Sequence, residues 1–161
     1  MTENELTAAH RQAIDDGMVK VGIPMELPCG GIEWCFAKRV SATHARIDNI
    51  PVFCSHVNYA DIVEFAEQDS PHVLFKAFVR VKTQGSECLT FSCVPESLSR
   101  TLSVHQLRAR ATAVRERLDA APEHVRPLCI EGVEPGVLSA AWPVGTDVDA
   151  VAAFLDAVIE G

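Results

Sequence analysis

The sequence predicts an α+β fold in which an N-terminal antiparallel curved sheet or small barrel of about five strands is followed by a strand, a helix, a hairpin and a helix. Two observations predict it. Apolar and polar residues alternate with a period of two through most of residues 18–95, and a helical period begins at residue 103. The chain of 161 residues is 48% apolar, which is enough to bury a core without disulfides. No repeat or linker composition interrupts it, so residues 1–161 are predicted to form a single domain.

The N-terminal residues give two alternatives. Residues 5–16 predict either a short helix that ends at Gly17 or a flexible lead-in within residues 1–17. The first strand spans residues 18–25, and its apolar positions Val19, Val21 and Ile23 alternate before a turn at residues 27–31.

In the next two predicted strands, the alternation assigns residues to opposite faces of each strand. Ile32, Trp34 and Phe36 share one face of the next strand. A long, half-buried antiparallel strand follows, and Gln84-Gly85-Ser86 predicts a hairpin turn from it into residues 88–94. One face of the long strand carries Val73, Phe75, Ala77, Val79 and Val81, and the other carries Leu74, Lys76, Phe78, Arg80 and Lys82.

A long helix is predicted from residue 103 onward. Ser103 and Gln106 have the spacing of a capping box, which places the helix start. The apolar stripe comprises Val104, Leu107, Ala111, Val114, Leu118 and Ala121, and the arginines at 108, 110, 115 and 117 fall off it, so they predict a solvated face.

The C-terminal third predicts a hairpin and a second helix. An apolar segment at 125–130, a turn at 134–136 and a strand at 137–144 precede Thr146, which is predicted to cap the last helix. Asp147 and Asp149 lie in the first turn of that helix, where its dipole favours negative charge. Its apolar side comprises Val148, Val151, Ala152, Leu155, Val158 and Ile159.

The charge distribution bears on partners. The net charge is −8, and residues 127–161 hold 6 acids and no base. This surplus favours a basic protein partner over nucleic acid or an anionic membrane. An acidic start and the lack of a long apolar stretch predict a cytoplasmic protein, in which the six cysteines are reduced thiols.

Neither a metal site nor a cofactor is predicted. The Cys29/Cys35 and Cys88/Cys93 spacings differ from paired zinc knuckles, although convergence of three cysteines with His44 or His56 stays open. Glycine-rich phosphate loops and the nucleophile elbow are absent from the sequence.

One stretch raises the alternative of an enzyme. Cys54-Ser55-His56, followed by Asp61, predicts a thiol centre only if Cys54 has a lowered pKa. A packed cysteine and a surface histidine are the more common arrangement, so the sequence favours a protein without catalytic residues.

Several segments resemble an uncharacterised bacterial family, domain of unknown function 4265. The similar segments are residues 19–26, 33–37, 45–53 and 59–64, and the most specific motif is Asp48-Asn49-Ile50-Pro51. The resemblance covers roughly residues 18–95, whereas the short turn at 27–32 and Cys54 depart from the family pattern. It implies a small cytosolic bacterial protein without known chemistry. The motif itself is interpreted as a turn initiator, because Asx side chains bond the backbone two residues on.

These observations lead to three hypotheses. The first is a protein-binding module, of the immunity or antitoxin type, that neutralises a cationic bacterial toxin. The second is a small enzyme that uses Cys54 and His56, and the third is a small-ligand sensor in the barrel mouth. The oligomeric state is not predicted. For the first hypothesis, the partner-binding residues are Glu131, Glu134, Asp147 and Asp149.

Overall fold

A computed structural model of the protein describes residues 16–26, 30–68 and 74–161. The helix or lead-in predicted for residues 1–17 lies outside this part except for its last two residues. The chain divides into two compact units, Met1–Gly85 and Ser86–Gly161. The division falls where the composition shows no linker, and the single domain stays a prediction.

Unit 1 is a closed five-stranded barrel. Consecutive strands pair antiparallel, and β1 pairs with β5 in parallel. The predicted small barrel is confirmed, with the correction that one pairing is parallel: when five strands alternate in direction around a closed ring, the first and the last run the same way. The strands are β1 (Met18–Pro24), β2 (Ile32–Arg39), β3 (His44–Ile47), β4 (Ile62–Glu67) and β5 (Phe75–Thr83).

Side chains fill the interior of the barrel. Val19, Val21 and Ile23 of β1 are buried, as their alternation predicts, and β2 contributes only the small Cys35 and Ala37. The connection between β3 and β4 packs into the same core through Cys54 and Val57. The interior of the barrel is therefore a packed core, and the hypothesis of a ligand site at its mouth stays a prediction.

The buried side of β5 changes along the strand, so neither of the two predicted faces is buried throughout. Lys76 is 4% exposed and lies on the buried side with Leu74, whereas Val79 is 50% exposed. The Lys76 ammonium reaches Glu67 Oε2 at 2.6 Å, so its charge has a partner in a solvated carboxylate. A register shift in the β4–β5 ladder skips Val79, and beyond this irregularity Val81 packs against the core.

The Asp48-Asn49-Ile50-Pro51 motif lengthens the pairing between β2 and β3. Asn49 Oδ1 accepts a hydrogen bond from Phe36 N at 2.7 Å, and Asp48 N donates to Phe36 O at 2.8 Å. The Asn49 oxygen therefore bonds a distant strand rather than the backbone two residues on, which corrects the predicted turn. Ile50 is buried next to this bond, so the motif has a structural role.

Gly85 ends unit 1 by packing against the β3–β4 connection. A Cβ atom at Gly85 would lie 2.1 Å from the Ala60 oxygen, so only glycine fits. Gly85 N donates to Asp61 Oδ1 at 2.7 Å, and Asn58 N donates to Asp61 Oδ2 at 2.9 Å. The predicted hairpin at residues 84–86 is wrong, because the strands on either side of it belong to different sheets.

Unit 2 combines a three-stranded antiparallel sheet with helices. The sheet order is β6-β8-β7, which confirms the predicted strand, helix, hairpin and helix. None of the helices in the described residues is long and apolar enough to cross a membrane. The elements are β6 (Ser86–Ser92), α1 (Glu96–Ser99), α2 (Val104–Asp119), a 3₁₀ turn (Glu123–Val125), β7 (Cys129–Glu134), β8 (Val137–Pro143) and α3 (Val148–Glu160).

The core of unit 2 lies between its sheet and the helices α2 and α3. Trp142 is buried there, and its indole N–H donates to Val125 O at 2.8 Å. The predicted capping box is confirmed: Ser103 Oγ accepts from Gln106 N, and the Gln106 side chain accepts from Ser103 N. Buried side chains from the helices and the sheet include Val114, Leu118, Leu138, Val151, Leu155 and Val158.

The start of α3 differs from the prediction by one residue. Asp147, not Thr146, is the N-cap, and its Oδ1 accepts from Asp149 N at 3.0 Å and from Ala150 N at 3.2 Å. The Thr146 hydroxyl instead donates to Pro143 O at 2.6 Å. The hydroxyl predicted to cap the helix is therefore engaged in the preceding turn.

Candidate functional site

Large apolar side chains cover part of the outside of the barrel. Along β2, Ile32, Trp34 and Phe36 are 50%, 36% and 49% exposed. Alternation places the small residues of this strand inside, because a five-stranded barrel is too narrow for rings on every strand. We use the name aromatic face for the set Ile32, Trp34, Phe36, Phe53 and Phe75.

Gly22 gives Trp34 its position on the aromatic face. The two residues are register partners in the β1–β2 ladder. A Cβ atom at Gly22 would lie 2.9 Å from the Trp34 ring and 2.9 Å from Ile32 Cγ2, so the indole occupies the space that a side chain would need. The Trp34 ring centroid is 4.8 Å from that of Phe75, and the two rings form a tilted pair.

Lys20 adds one positive charge to the aromatic face. It is the register partner of Phe36 on β2 and of Phe75 on β5. Its ammonium lies 4.8 Å from the Phe36 centroid and 5.7 Å from the Phe75 centroid, within the range of a cation–π interaction. The rings of two different strands are thus held around one ammonium.

Glu33 holds the loop that carries Phe53. Its carboxylate accepts hydrogen bonds from Val52 N at 2.7 Å and from Phe53 N at 2.9 Å. Bonds from backbone N–H groups to a charged carboxylate are stronger than neutral ones. Phe53 is 61% exposed. It borders a shallow depression of about 370 Å³ together with Met25, Ile32, Glu33 and Trp34.

The composition of the aromatic face suits contact with another protein. Exposed apolar patches mark interaction sites, and aromatic residues are enriched at the centres of protein interfaces. Its rings and aliphatic chains offer no group for making or breaking bonds. Sequence reasoning grouped Ile32, Trp34 and Phe36 but assigned them no function; the available signal was Gly22 in the middle of the neighbouring strand.

Cys54 does not have the environment of a catalytic thiol. It is 4% exposed, and its Sγ lies 3.7 Å from the carbonyl oxygens of both Ile23 and Pro24. Burial is the main cause that raises the pKa of Cys54 from 9.0 to about 12, followed by its hydrogen bond to Glu33 and the negative charges of Glu33 and Glu26. A nucleophilic cysteine needs a lowered pKa, so the enzyme hypothesis is disfavoured.

The other three residues of that sequence cluster bind elsewhere in unit 1: Ser55 and His56 contact one carboxylate, and Asp61 binds backbone N–H groups. His56 Nδ1 lies 3.3 Å from Glu26 Oε1, and the His56 ring meets Phe78 edge-on. Ser55 Oγ donates to the same Glu26 carboxylate at 3.0 Å. Asp61 receives its hydrogen bonds from backbone N–H groups of its own unit. The three side chains therefore hold the barrel connection together rather than forming a relay.

The four predicted partner-binding acids lie on two elements of unit 2. Glu131 and Glu134 belong to β7, where Glu131 is half-buried and Glu134 is exposed. Asp147 and Asp149 lie at the start of α3, and both are exposed. Asp147 also caps the helix, so its carboxylate is partly committed to backbone N–H groups.

The arginines of α2 divide into two kinds. Arg108 and Arg110 are exposed, as predicted for a solvated face. Arg115 instead donates to Ile130 O at 3.1 Å, and Arg117 donates to the carbonyl oxygen of Val158 at 3.4 Å. Arg115 is half-buried, which corrects its predicted place on the solvated face, whereas Arg117 stays exposed as predicted while it bonds α3.

The described cysteines are free thiols. Cys35, Cys54 and Cys93 are buried, and Cys88 and Cys129 are half-buried. Across residues 16–26, 30–68 and 74–161, no three His, Cys, Asp or Glu side chains are grouped as metal ligands. Cys29, which took part in one of the spacings considered for a metal site, lies outside these ranges.

Comparison with known proteins identifies a similar fold. No family model matches the chain, and no curated protein matches its sequence. The crystal structure of a hypothetical protein from Neisseria gonorrhoeae matches with a TM-score of 0.55 and 15% identity, over 90% of this chain and 87% of that chain. The likeness is one of fold. The resemblance to domain of unknown function 4265 stays a prediction.

Proposed function

We propose that this protein is a protein-binding module that contacts its partner through the aromatic face, and that the partner is a basic protein such as a bacterial toxin. The observation that carries the proposal is the outward position of Trp34, Phe36 and Phe53 on a closed barrel. Burial of a fully exposed side chain of this size is worth roughly 1.5–3 kcal/mol, and because these three are 36–61% exposed, each gains the corresponding fraction on binding. Tryptophan is also among the residues that dominate measured interface energies.

The positions of these side chains are set before a partner binds. Glu33 fixes the Phe53 loop with two hydrogen bonds. Because Gly22 has no side chain, there is space for the Trp34 ring. A preorganised surface loses little conformational entropy on binding, so more of the contact energy contributes to affinity. This favours tight binding of one partner by a small surface.

Charge supports a basic partner. The net charge is −8, and no Lys or Arg offsets the acids of residues 127–161. This negative charge attracts a cationic protein over long range. In this proposal Glu131, Glu134, Asp147 and Asp149 speed the encounter, while the aromatic face supplies the buried contact. A module that captures a basic toxin in the cytoplasm in this way is an immunity or antitoxin-like protein.

Affinity capture from the native lysate tests the apolar contact. The tagged wild-type chain and the double variant Phe36→Ser/Phe53→Ser are compared at low and high salt, and bound proteins are identified by mass spectrometry. Val40→Ser is the matched control, since Val40 is 60% exposed and lies outside the aromatic face. We expect wild type and control to retain the same basic protein, and the double variant to lose it at both salt concentrations.

A second variant tests the charge contribution with the captured partner. Glu131→Gln, Glu134→Gln, Asp147→Asn and Asp149→Asn are combined, because asparagine at 147 still caps α3. We expect slower association with a smaller salt dependence and little change in dissociation. Retention of the partner by Phe36→Ser/Phe53→Ser would refute the aromatic contact. A captured partner that is acidic, or an unchanged salt dependence, would refute the basic toxin.

A further inference from the structure

A second surface lies within unit 2, in a groove between α2 and the turn that joins β7 to β8. The groove has a volume of about 570 Å³, which falls within the usual range for small-molecule sites. One wall is a single face of α2, and the other is the hairpin from Gly132 to Leu138. Both walls belong to the same compact unit.

Contacts near both ends of the groove fix its width. At the tip of the hairpin, Gly136 has a φ of +82°, and a Cβ atom there would lie 3.0 Å from Leu107 Cδ2. Further along α2, the Arg115 guanidinium donates to Ile130 O at 3.1 Å. Between these contacts, a Cβ atom at Gly132 would have no heavy atom within 4 Å, so the wall is open backbone there.

The polar groups of the helical wall are cationic. Arg108, Thr112 and Arg115 follow one another at spacings of four and three, which places them on one face of α2. In the ranges that the structure describes, the Arg108 guanidinium has no hydrogen bond or ion pair, although Glu134 lines the same groove. The groove therefore presents a guanidinium whose donors are available to a ligand.

The remaining lining is apolar. Ala111 lies on the helical wall, and Val133, Val137 and Leu138 lie on the hairpin. Apolar walls with a few convergent polar groups are the usual composition of a small-molecule site. We propose that this groove binds a small organic anion whose carboxylate or phosphate pairs with Arg108 and Arg115 while an apolar body lies against the hairpin.

The chemistry of the guanidinium selects this class of ligand. Its planar fork of N–H donors matches the paired oxygens of a carboxylate or a phosphate. A guanidinium carries five N–H groups, so Arg115 can bind the ligand with those that do not donate to Ile130 O. The Glu134 carboxylate repels an anion, so it lowers the affinity of the groove for the ligand.

The test is a titration of the ¹⁵N-labelled full chain followed by NMR. The probes are phenyl phosphate, benzoate and the neutral benzyl alcohol, and the signals are the amides of Gly132 and Gly136. Arg108→Gln removes the available guanidinium. Arg110→Gln is the matched control, because it removes the same charge from an exposed position on the same helix outside the groove. Glu134→Gln removes the opposing charge.

We expect at least one anionic probe to shift both glycine amides and to bind about tenfold more tightly than benzyl alcohol, as a charge-assisted hydrogen bond implies. Arg108→Gln should weaken that binding about tenfold, Arg110→Gln should leave it unchanged, and Glu134→Gln should strengthen it. The preferred probe then assigns the ligand to the phosphates or the carboxylates. Equal binding of all three probes, equal effects of the two arginine variants, or no shift at Gly132 and Gly136 would overturn the proposal.

Discussion

Gly85 and Gly132 both lack a side chain, but their surroundings differ. A Cβ atom at Gly85 would lie 2.1 Å from the Ala60 oxygen and 2.3 Å from the Ala60 carbonyl carbon, whereas one at Gly132 would contact nothing within 4 Å. The backbone at Gly85 is also held by the Asp61 carboxylate. The atoms that a side chain at Gly85 would meet belong to the main chain, not to a movable side chain. A larger residue can therefore be accommodated only if the backbone shifts.

These surroundings predict opposite outcomes for two chemically identical substitutions. Gly85→Ala should lower the free energy of unfolding of unit 1 by at least about 2 kcal/mol, because the added methyl group displaces the Ala60–Asp61 backbone. Gly132→Ala should change the stability of unit 2 by no more than about 1 kcal/mol, with stabilisation favoured. Urea denaturation measures both, and equal losses of stability would contradict the packing at Gly85.

The burial of single residues was harder to predict than their alternation. The alternation of β1 was predicted correctly, since the buried Val19, Val21 and Ile23 are separated by Lys20 and Gly22. On β2 both faces are apolar, so periodicity separates Trp34 from Cys35 without indicating which one faces inward. The narrow barrel decides this by size, which is a property of the closed sheet rather than of the strand.

At the scale of elements, the first turn of α3 offers a direct check on which residue caps a helix. Asp147→Ala should destabilise unit 2 by about 1 kcal/mol, because the N–H groups of Asp149 and Ala150 lose their acceptor. Asp147→Asn is the control and should be close to neutral, since an asparagine oxygen also caps. Thermal unfolding followed by circular dichroism measures the difference, and an equal loss in both variants would point to charge rather than capping.

The order and type of the elements in the described part of the chain were predictable from the sequence. Which strands pair with each other was less predictable. The capping box of α2 and the β7–β8 hairpin follow from local signals, and both are present. The connection at residues 84–86 has the composition of a hairpin turn, yet β5 pairs with β1 and β4, whereas β6 pairs with β8. Strand pairing depends on distant residues, so a local turn pattern does not determine it.

The candidate site was only partly predictable for a similar reason. Acidic residues and the Cys54-Ser55-His56 cluster are visible along the sequence, whereas the aromatic face joins β1, β2, β5 and a loop. Its members become neighbours only when the barrel closes. The change of buried side along β5 has the same origin, because the bulge that skips Val79 depends on pairing with β4.

At the scale of the whole molecule, each unit buries a thiol that resists ionisation. Burial raises the pKa of Cys54 to about 12 in unit 1 and that of Cys93 to about 11 in unit 2, both from 9.0. Well below pH 9 these thiols are protonated whether the chain is folded or unfolded. Above pH 9 the thiols of the unfolded chain lose their protons first, which favours the unfolded state. The free energy of unfolding therefore falls as the pH rises towards the folded-state pKa values of about 11 and about 12.

We therefore expect the free energy of unfolding to fall between pH 9 and pH 11, and the fall to be less steep in Cys54→Ala and in Cys93→Ala. Cys88→Ala, which removes a half-buried thiol, provides the reference slope. Trp34 lies in unit 1 and Trp142 in unit 2, so the variants Trp142→Phe and Trp34→Phe report the two units separately by fluorescence. A slope that neither buried cysteine affects would contradict the raised pKa values.

The parallel seam between β1 and β5 also has a consequence for how the protein is made. Lys20 pairs in register with Phe75, so closing the barrel joins segments more than fifty residues apart. Contacts between such distant segments slow folding, and chains are synthesised from the N-terminus. While β1 to β4 emerge from the ribosome, β1 lacks its second neighbour. The barrel closes only after β5 has left the exit tunnel, and until then the exposed edge of β1 is available to chaperones.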